Sequence, residues 1–155
     1  SSYLSFTKEI IIYACSSFLD FVNILLILSF LKGNNFNGKV IIKYVLNKNS
    51  DLESSVFVSQ TLTDKEYENV DELISLLKDN KPLPSIDFKV IGYLSFINFY
   101  NMIVDCEKFM LTIEDIIEDL EDDIDAIASY LQDKYYNMGL SKDFYVSYLK
   151  KYMGE

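Results

Sequence analysis

Thr112–Met138, TIEDIIEDLEDDIDAIASYLQDKYYNM, carries the clearest pattern in the chain. Ile113, Ile117, Leu120, Ile124, Ile127, Leu131, Tyr135 and Met138 recur at spacings of four and three. That is a heptad seam over nearly four repeats and predicts one long amphipathic helix. Thr112 suits its N-cap, Glu114 and Asp115 suit its positive start, and Gly139 suits its exit. Eight acids, Glu114, Asp115, Glu118, Asp119, Glu121, Asp122, Asp123 and Asp125, fall within twelve residues, and no base occurs between Lys108 and Lys134. On a straight helix Asp115, Glu118, Asp122 and Asp125 would form a continuous negative stripe opposite the seam. Like charges at i,i+4 oppose the helix by roughly a few tenths of a kcal/mol each. Burial of the seam, or a basic partner, must offset that cost.

Working outward, Ser141 can cap a last helix whose apolar side is Phe144, Tyr145, Tyr148, Leu149 and Tyr152. Upstream, Ser85 can cap a nearly all-apolar central helix over 86–108. Lys81-Pro82-Leu83-Pro84 before it is a stiff extended connector, because each proline disfavours helix in the residue preceding it. Thr63 and Glu66 match a capping box and open a helix carrying Tyr67, Val70, Leu73, Ile74 and Leu77, which should end near Asp79–Asn80.

Between these helices and the N-terminal region, Lys39–Leu46 (KVIIKYVL) and Ser54–Leu62 (SSVFVSQTL) read as two strands of an antiparallel hairpin, with Val40, Ile42, Tyr44 and Leu46 on one face. A lone hairpin is marginal in water, so that face must pack on helices. The most apolar stretch, Thr7–Leu31, reads as a buried core helix with a break at Ser16–Ser17, ended by Gly33. A membrane segment is the alternative, opposed by Asp20 near its middle. Asp20 itself reads as a hydrogen-bonded or solvent-facing interruption.

The whole is expected to be α+β and predominantly α: one globular domain over residues 1–155, a bundle of five to six helices with one β-hairpin packed against it. Half the residues are hydrophobic, enough for an ordered core. Cys15 and Cys106 lie in apolar stretches with no paired-cysteine motif, so buried free thiols and a cytoplasmic location are expected, with membrane association as the alternative. The basic residues are all lysine, and Asn, Ile, Lys and Tyr abound, a bias that suggests an AT-rich coding genome.

Absences narrow the chemistry. The chain has no histidine, so Ser-His and Cys-His pairs and His-containing metal sites are excluded. It has no arginine for a bidentate clamp and no glycine-rich phosphate loop. A net charge of −10 disfavours nucleic acid and anionic membrane and favours basic proteins. The expectation is a non-enzymatic protein-binding protein of the inhibitor, immunity, adaptor or chaperone type. It would need no metal and no cofactor, and would dock a basic partner through Glu114, Asp115, Glu118, Asp119, Asp122 and Asp125. Mimicry of a nucleic-acid phosphate row is a sub-reading of that surface. One alternative is a membrane-anchored or self-associating protein, a homodimer included, using the N-terminal apolar helix or the heptad seam. The other is a carboxylate enzyme using Mg²⁺, since magnesium needs only one or two protein carboxylates. The tyrosines of the C-terminal end, Tyr130, Tyr135, Tyr136, Tyr145, Tyr148 and Tyr152, read first as core edge and second as binding anchors.

Overall fold

Three consecutive isoleucines decide how the chain begins. In the computed structural model, which describes residues 6–15, 17–45, 57–62, 68–85 and 92–154, Glu9–Ala14 (EIIIYA) is strand β1 rather than the first half of a helix. β-branched and aromatic side chains favour the pleated backbone. The expected interruption is found at Ser17, but there a helix begins after a strand; Ser16 lies outside the described residues. Ser17 is the N-cap of α1 (Phe18–Gly33), its hydroxyl accepting from the Asp20 N–H at 3.2 Å. The Asp20 carboxylate in turn accepts from the Cys15 N–H. Asp20 is thus the hydrogen-bonded interruption anticipated, and it fastens the strand-to-helix turn.

β2 (Lys39–Val45) runs parallel to β1, with Ile10 opposite Val40 and Ala14 opposite Tyr44, so β1, α1 and β2 form a β-α-β unit. β3 (Phe57–Thr61) pairs antiparallel with β2, Ile42 opposite Gln60, as the expected hairpin. Among the described residues the sheet therefore has three strands in the order β1-β2-β3, not the two of a hairpin. Val40, Ile42 and Tyr44 are buried on one face, as their alternation predicts; Leu46 lies outside the described residues.

α2 (Val70–Lys78) follows and ends where anticipated, at Asp79. Its capping box at Thr63–Glu66 lies outside the described residues. Asp71 ties it to α1 by accepting from Ser29 at 3.1 Å and pairing with Lys32 at 3.2 Å. Those contacts, the Lys32 hydrogen bond foremost, hold the Asp71 carboxyl below its usual range. The proline-rich connector packs Leu83 into the core, where the Asn101 side chain donates to its carbonyl at 2.9 Å and accepts from its N–H at 2.7 Å.

The central helix expected over 86–108 is shorter. α3 spans Tyr93–Val104 and starts after Gly92; the residues that a Ser85 cap would serve are not among those described. Residues 86–91 lie outside the described set. Gly92 has φ +82, and a Cβ there would meet the Phe21 ring at 2.9 Å, so glycine suits both its backbone and its neighbour. Asp105 breaks the helix by capping the next one, α4 (Cys106–Asp119), accepting from the Lys108 N–H at 3.1 Å. Thr112 is therefore inside α4, its hydroxyl donating to the Lys108 carbonyl at 2.8 Å, and is not an N-cap.

The long heptad helix is also divided. α4 stops at Asp119, Glu121 and Asp122 adopt left-handed φ of 54° and 58°, and Asp123 caps α5 (Ile124–Lys134). A 3₁₀ turn, Tyr136–Met138, and Gly139 (φ +67) lead to α6 (Lys142–Met153), capped by Ser141 as expected. The cause of the division lies in the run EDLEDDID. Its i,i+4 acid pairs oppose a helix, and aspartate prefers the cap, where its carboxylate serves free N–H groups.

Among the described residues the buried side chains form two clusters. Phe21, Ile24, Leu25, Leu28 and Leu31 of α1 meet the sheet, α2 and the Tyr93, Phe96, Ile97 and Tyr100 side of α3. Phe109, Ile113, Ile127, Leu131, Tyr145 and Leu149 unite α4, α5 and α6, joined by Phe99 of α3. Phe18 touches both clusters. The seam residues Ile113, Ile124, Ile127, Leu131 and Met138 are thus buried within the chain itself. Among the described residues no helix is long and apolar enough to cross a membrane. At 16 residues α1 is about 24 Å long, short of a roughly 30 Å hydrocarbon core.

Candidate functional site

The division at Leu120–Asp123 sorts the six acids proposed from sequence. Glu114, Asp115, Glu118 and Asp119 all lie on α4 and are exposed. Glu114 with Glu118 and Asp115 with Asp119 are i,i+4 neighbours, so the four make one patch over its last two turns. Asp122 sits in the left-handed turn. Asp125 is on the first turn of α5 and pairs with Lys142 of α6 at 2.8 Å. The structure therefore brings four of the six together on one helix, places Asp122 in the turn that caps its end, the Asp122 N–H donating to the Ile117 carbonyl at 3.2 Å, and gives Asp125 an intramolecular partner. The continuous stripe through Asp115, Glu118, Asp122 and Asp125 does not form, because no single helix carries all four.

The four α4 acids form no ion pair among the described residues. They also sit at the wrong end of their helix. Carboxylates near a C-terminus meet the negative end of the helix dipole, and α4 has no basic residue in its last turn. Among the described residues, therefore, no cation offsets the negative potential of the patch.

Beside it is a groove of about 500 Å³, open to solvent and lined among the described residues by Glu107, Met110, Leu111, Glu114 and Ile117. Leu111 is 71% exposed. Sequence reasoning placed Ile117 in the seam and passed over Met110 and Leu111. Met110 and Ile117 flank the buried side of α4 and pack against its core cluster, while Leu111 stands alone on the exposed side. The buried side is supplied by Phe109 and Ile113.

No group of three or more His, Cys, Asp or Glu among the described residues could hold a metal ion. Both cysteines are free, as expected, but neither is buried: Cys15 is exposed and Cys106 half-buried. Partial burial pushes the Cys106 thiol up from its ordinary value. The C-terminal tyrosines divide. Tyr145 is fully buried, and burial raises its hydroxyl to about 12. Tyr148 donates to the Ile103 carbonyl at 2.8 Å. Tyr130, Tyr136 and Tyr152 are exposed.

No protein-family model matches the chain, and neither curated proteins nor solved structures give a significant match.

Proposed function

We propose that this chain is a non-enzymatic protein-binding protein that docks a basic partner through the acidic patch of α4. The observation that carries the reading is the free state of Glu114, Asp115, Glu118 and Asp119, exposed and without a cation among the described residues, while Asp71 and Asp125 elsewhere have lysine partners. Four like charges over two turns oppose the helix that bears them, and a basic partner relieves that opposition. Charge of this kind chiefly speeds encounter and selects partners. The patch spans about 7.5 Å of helix axis, against a charge about every 3.4 Å along a strand of B-DNA. That is short for a phosphate-row mimic, so ordinary charge pairing is the reading adopted. The test replaces the four with Gln, Asn, Gln and Asn and measures affinity for a partner recovered from the native host. Affinity should fall and its salt dependence flatten; unchanged affinity and slope would remove the proposal.

A second reading is favoured by one observation. Leu19, Leu26, Ile27 and Phe30 leave an apolar stripe exposed along α1, Leu19 at 66% and Phe30 at 58%. Self-association through that stripe would cover it. A dimer in sedimentation velocity that Phe30→Lys converts to monomer supports this reading; a monomer at high concentration rejects it.

A further inference from the structure

We infer that α1 pairs with α1 of a second copy, parallel and in register, with Asn23 meeting its own counterpart across a two-fold axis. This rests on the self-association reading above and specifies how the two copies meet. Leu19, Asn23, Leu26 and Phe30 are exposed and follow one another at spacings of four, three and four. On a helix those steps return to one narrow line, the a and d pattern of a paired helix. Ile27, also exposed, borders that line. The opposite side of α1, Phe21, Ile24, Leu25, Leu28 and Leu31, fills the core of this chain. Leu19, Leu26, Ile27 and Phe30 belong to neither core cluster. α1 is thus apolar on both sides, the pattern of a helix covered all round.

Asn23 selects the occupant and its direction. Covered by an apolar side chain, its amide would lose its hydrogen bonds to water and gain none. Opposite a second amide it can both donate and accept. A parallel pair in register supplies that match by symmetry, and a lone Asn at an a position is known to fix register in this way. An antiparallel pair overlapping along the whole of α1 sets Phe18 opposite Gly33, and so position 23 opposite 28, where the nearest outward side chains are Leu26, Ile27 and Phe30. Charge permits the pairing. The charged residues of α1, Asp20 and Lys32, lie off the stripe and are engaged by the Cys15 N–H and by Asp71. Residues 105–154 hold twelve acids and five lysines, whereas residues 6–45 hold two acids and four lysines. The repulsion between two copies therefore comes from the other part of each chain, where salt screens it. Exposures of 66, 49, 36 and 58% for Leu19, Leu26, Ile27 and Phe30 leave roughly 400 Å² of apolar surface per copy, at about 200 Å² for each whole side chain. Twice that area is the low end for a specific interface, so the dimer should be weak, of micromolar strength.

A charge swap at position 23, read by sedimentation velocity from about 10 μM to about 1 mM, tests this directly. The parent should form a dimer. Asn23→Asp and Asn23→Lys each set like charges face to face, so each alone should weaken the dimer at least about tenfold. An equimolar mixture of the two variants should recover a heterodimer near the parent strength. Position 23 is exposed, so neither change should move thermal unfolding measured where the parent is monomeric. A dimer that Phe30→Lys weakens, with no loss at the Asn23 changes or no recovery in the mixture, keeps self-association and overturns the parallel register. A parent that stays monomeric throughout, or a dimer that none of these changes weakens, overturns both. A monomer that binds phosphatidylcholine vesicles, and loses that binding with Phe30→Lys, assigns the stripe to lipid and likewise overturns both.

Discussion

Substituting Asp123 with alanine separates two accounts of the acidic region by the sign of the stability change. In the structure the Asp123 carboxylate accepts from the N–H groups of Asp125 at 3.1 Å and Ala126 at 3.3 Å, at the start of α5. Removing an N-cap aspartate costs about 1 kcal/mol. Losing a negative charge beside the positive end of the helix adds roughly 0.3–1 kcal/mol. Against this, one acid fewer in a crowded acidic run returns roughly a few tenths. The net expectation for Asp123→Ala is a loss of about 1 kcal/mol. Were residues 112–138 one straight helix, position 123 would be interior. Alanine would then gain roughly 0.6 kcal/mol of helix propensity, plus the same charge relief, and the variant would be more stable. Urea unfolding decides, since a slope of about 2 kcal/mol/M turns the expected loss into a midpoint lower by about 0.5 M. Asp123→Asn keeps the cap and should stay near the parent value. A midpoint for Asp123→Ala at or above that of the parent would refute the divided helix.

Three further outcomes follow from single sites. Glu121 holds a left-handed φ of 54°, so Glu121→Gly should stabilise the fold by roughly 0.5–1 kcal/mol in the same urea assay. The Tyr145 hydroxyl is buried without a hydrogen-bond partner among the described residues, and its folded-state pKa of about 12 exceeds the ordinary 10. The neutral form is the one the fold prefers. Its contribution is therefore complete below pH 10 and lost as pH rises from 10 towards 12. Tyr145→Phe should shallow that alkaline loss in pH-dependent unfolding, and it should raise neutral-pH stability by roughly 1 kcal/mol through removal of an unsatisfied polar group. In thiol titration with a disulfide reagent, Cys15 should react in a fast phase and Cys106 in a slow one, because burial both shields the latter and raises its pKa; Cys15→Ser should delete the fast phase.

Much of this fold was legible where side-chain period and terminal chemistry agree. Val40, Ile42 and Tyr44 alternate and are buried together; Ser141 and Gly139 act as the cap and turn their chemistry implies. The failures share a physical cause. Ile10, Ile11 and Ile12 in β1 form a continuous apolar run, and such a run cannot be told from a buried helix by period. The partner that makes it a strand, β2, lies 30 residues further on, as the pairing of Glu9 with Lys39 records. The heptad seam misled in another way. Ile113, Ile124, Ile127 and Leu131 do face one core, but two helices joined by a turn deliver them there as well as one could. The sign of that turn was Asp-Asp-Ile-Asp, a cap motif concealed within an apolar period. At the candidate site, the acids were conspicuous by composition. Leu111 and Met110 were not, because neither falls on the heptad period: Met110 flanks the buried side and Leu111 stands alone on the exposed one.

The most direct test of the docking account is affinity against ionic strength for a partner isolated from the native host, measured with the parent chain and with the Glu114→Gln, Asp115→Asn, Glu118→Gln, Asp119→Asn variant. The account expects a steep fall in affinity with salt for the parent, a weaker complex for the variant at low salt, and convergence of the two at high salt, where screening removes what the patch contributes. Parallel curves of equal affinity would contradict it.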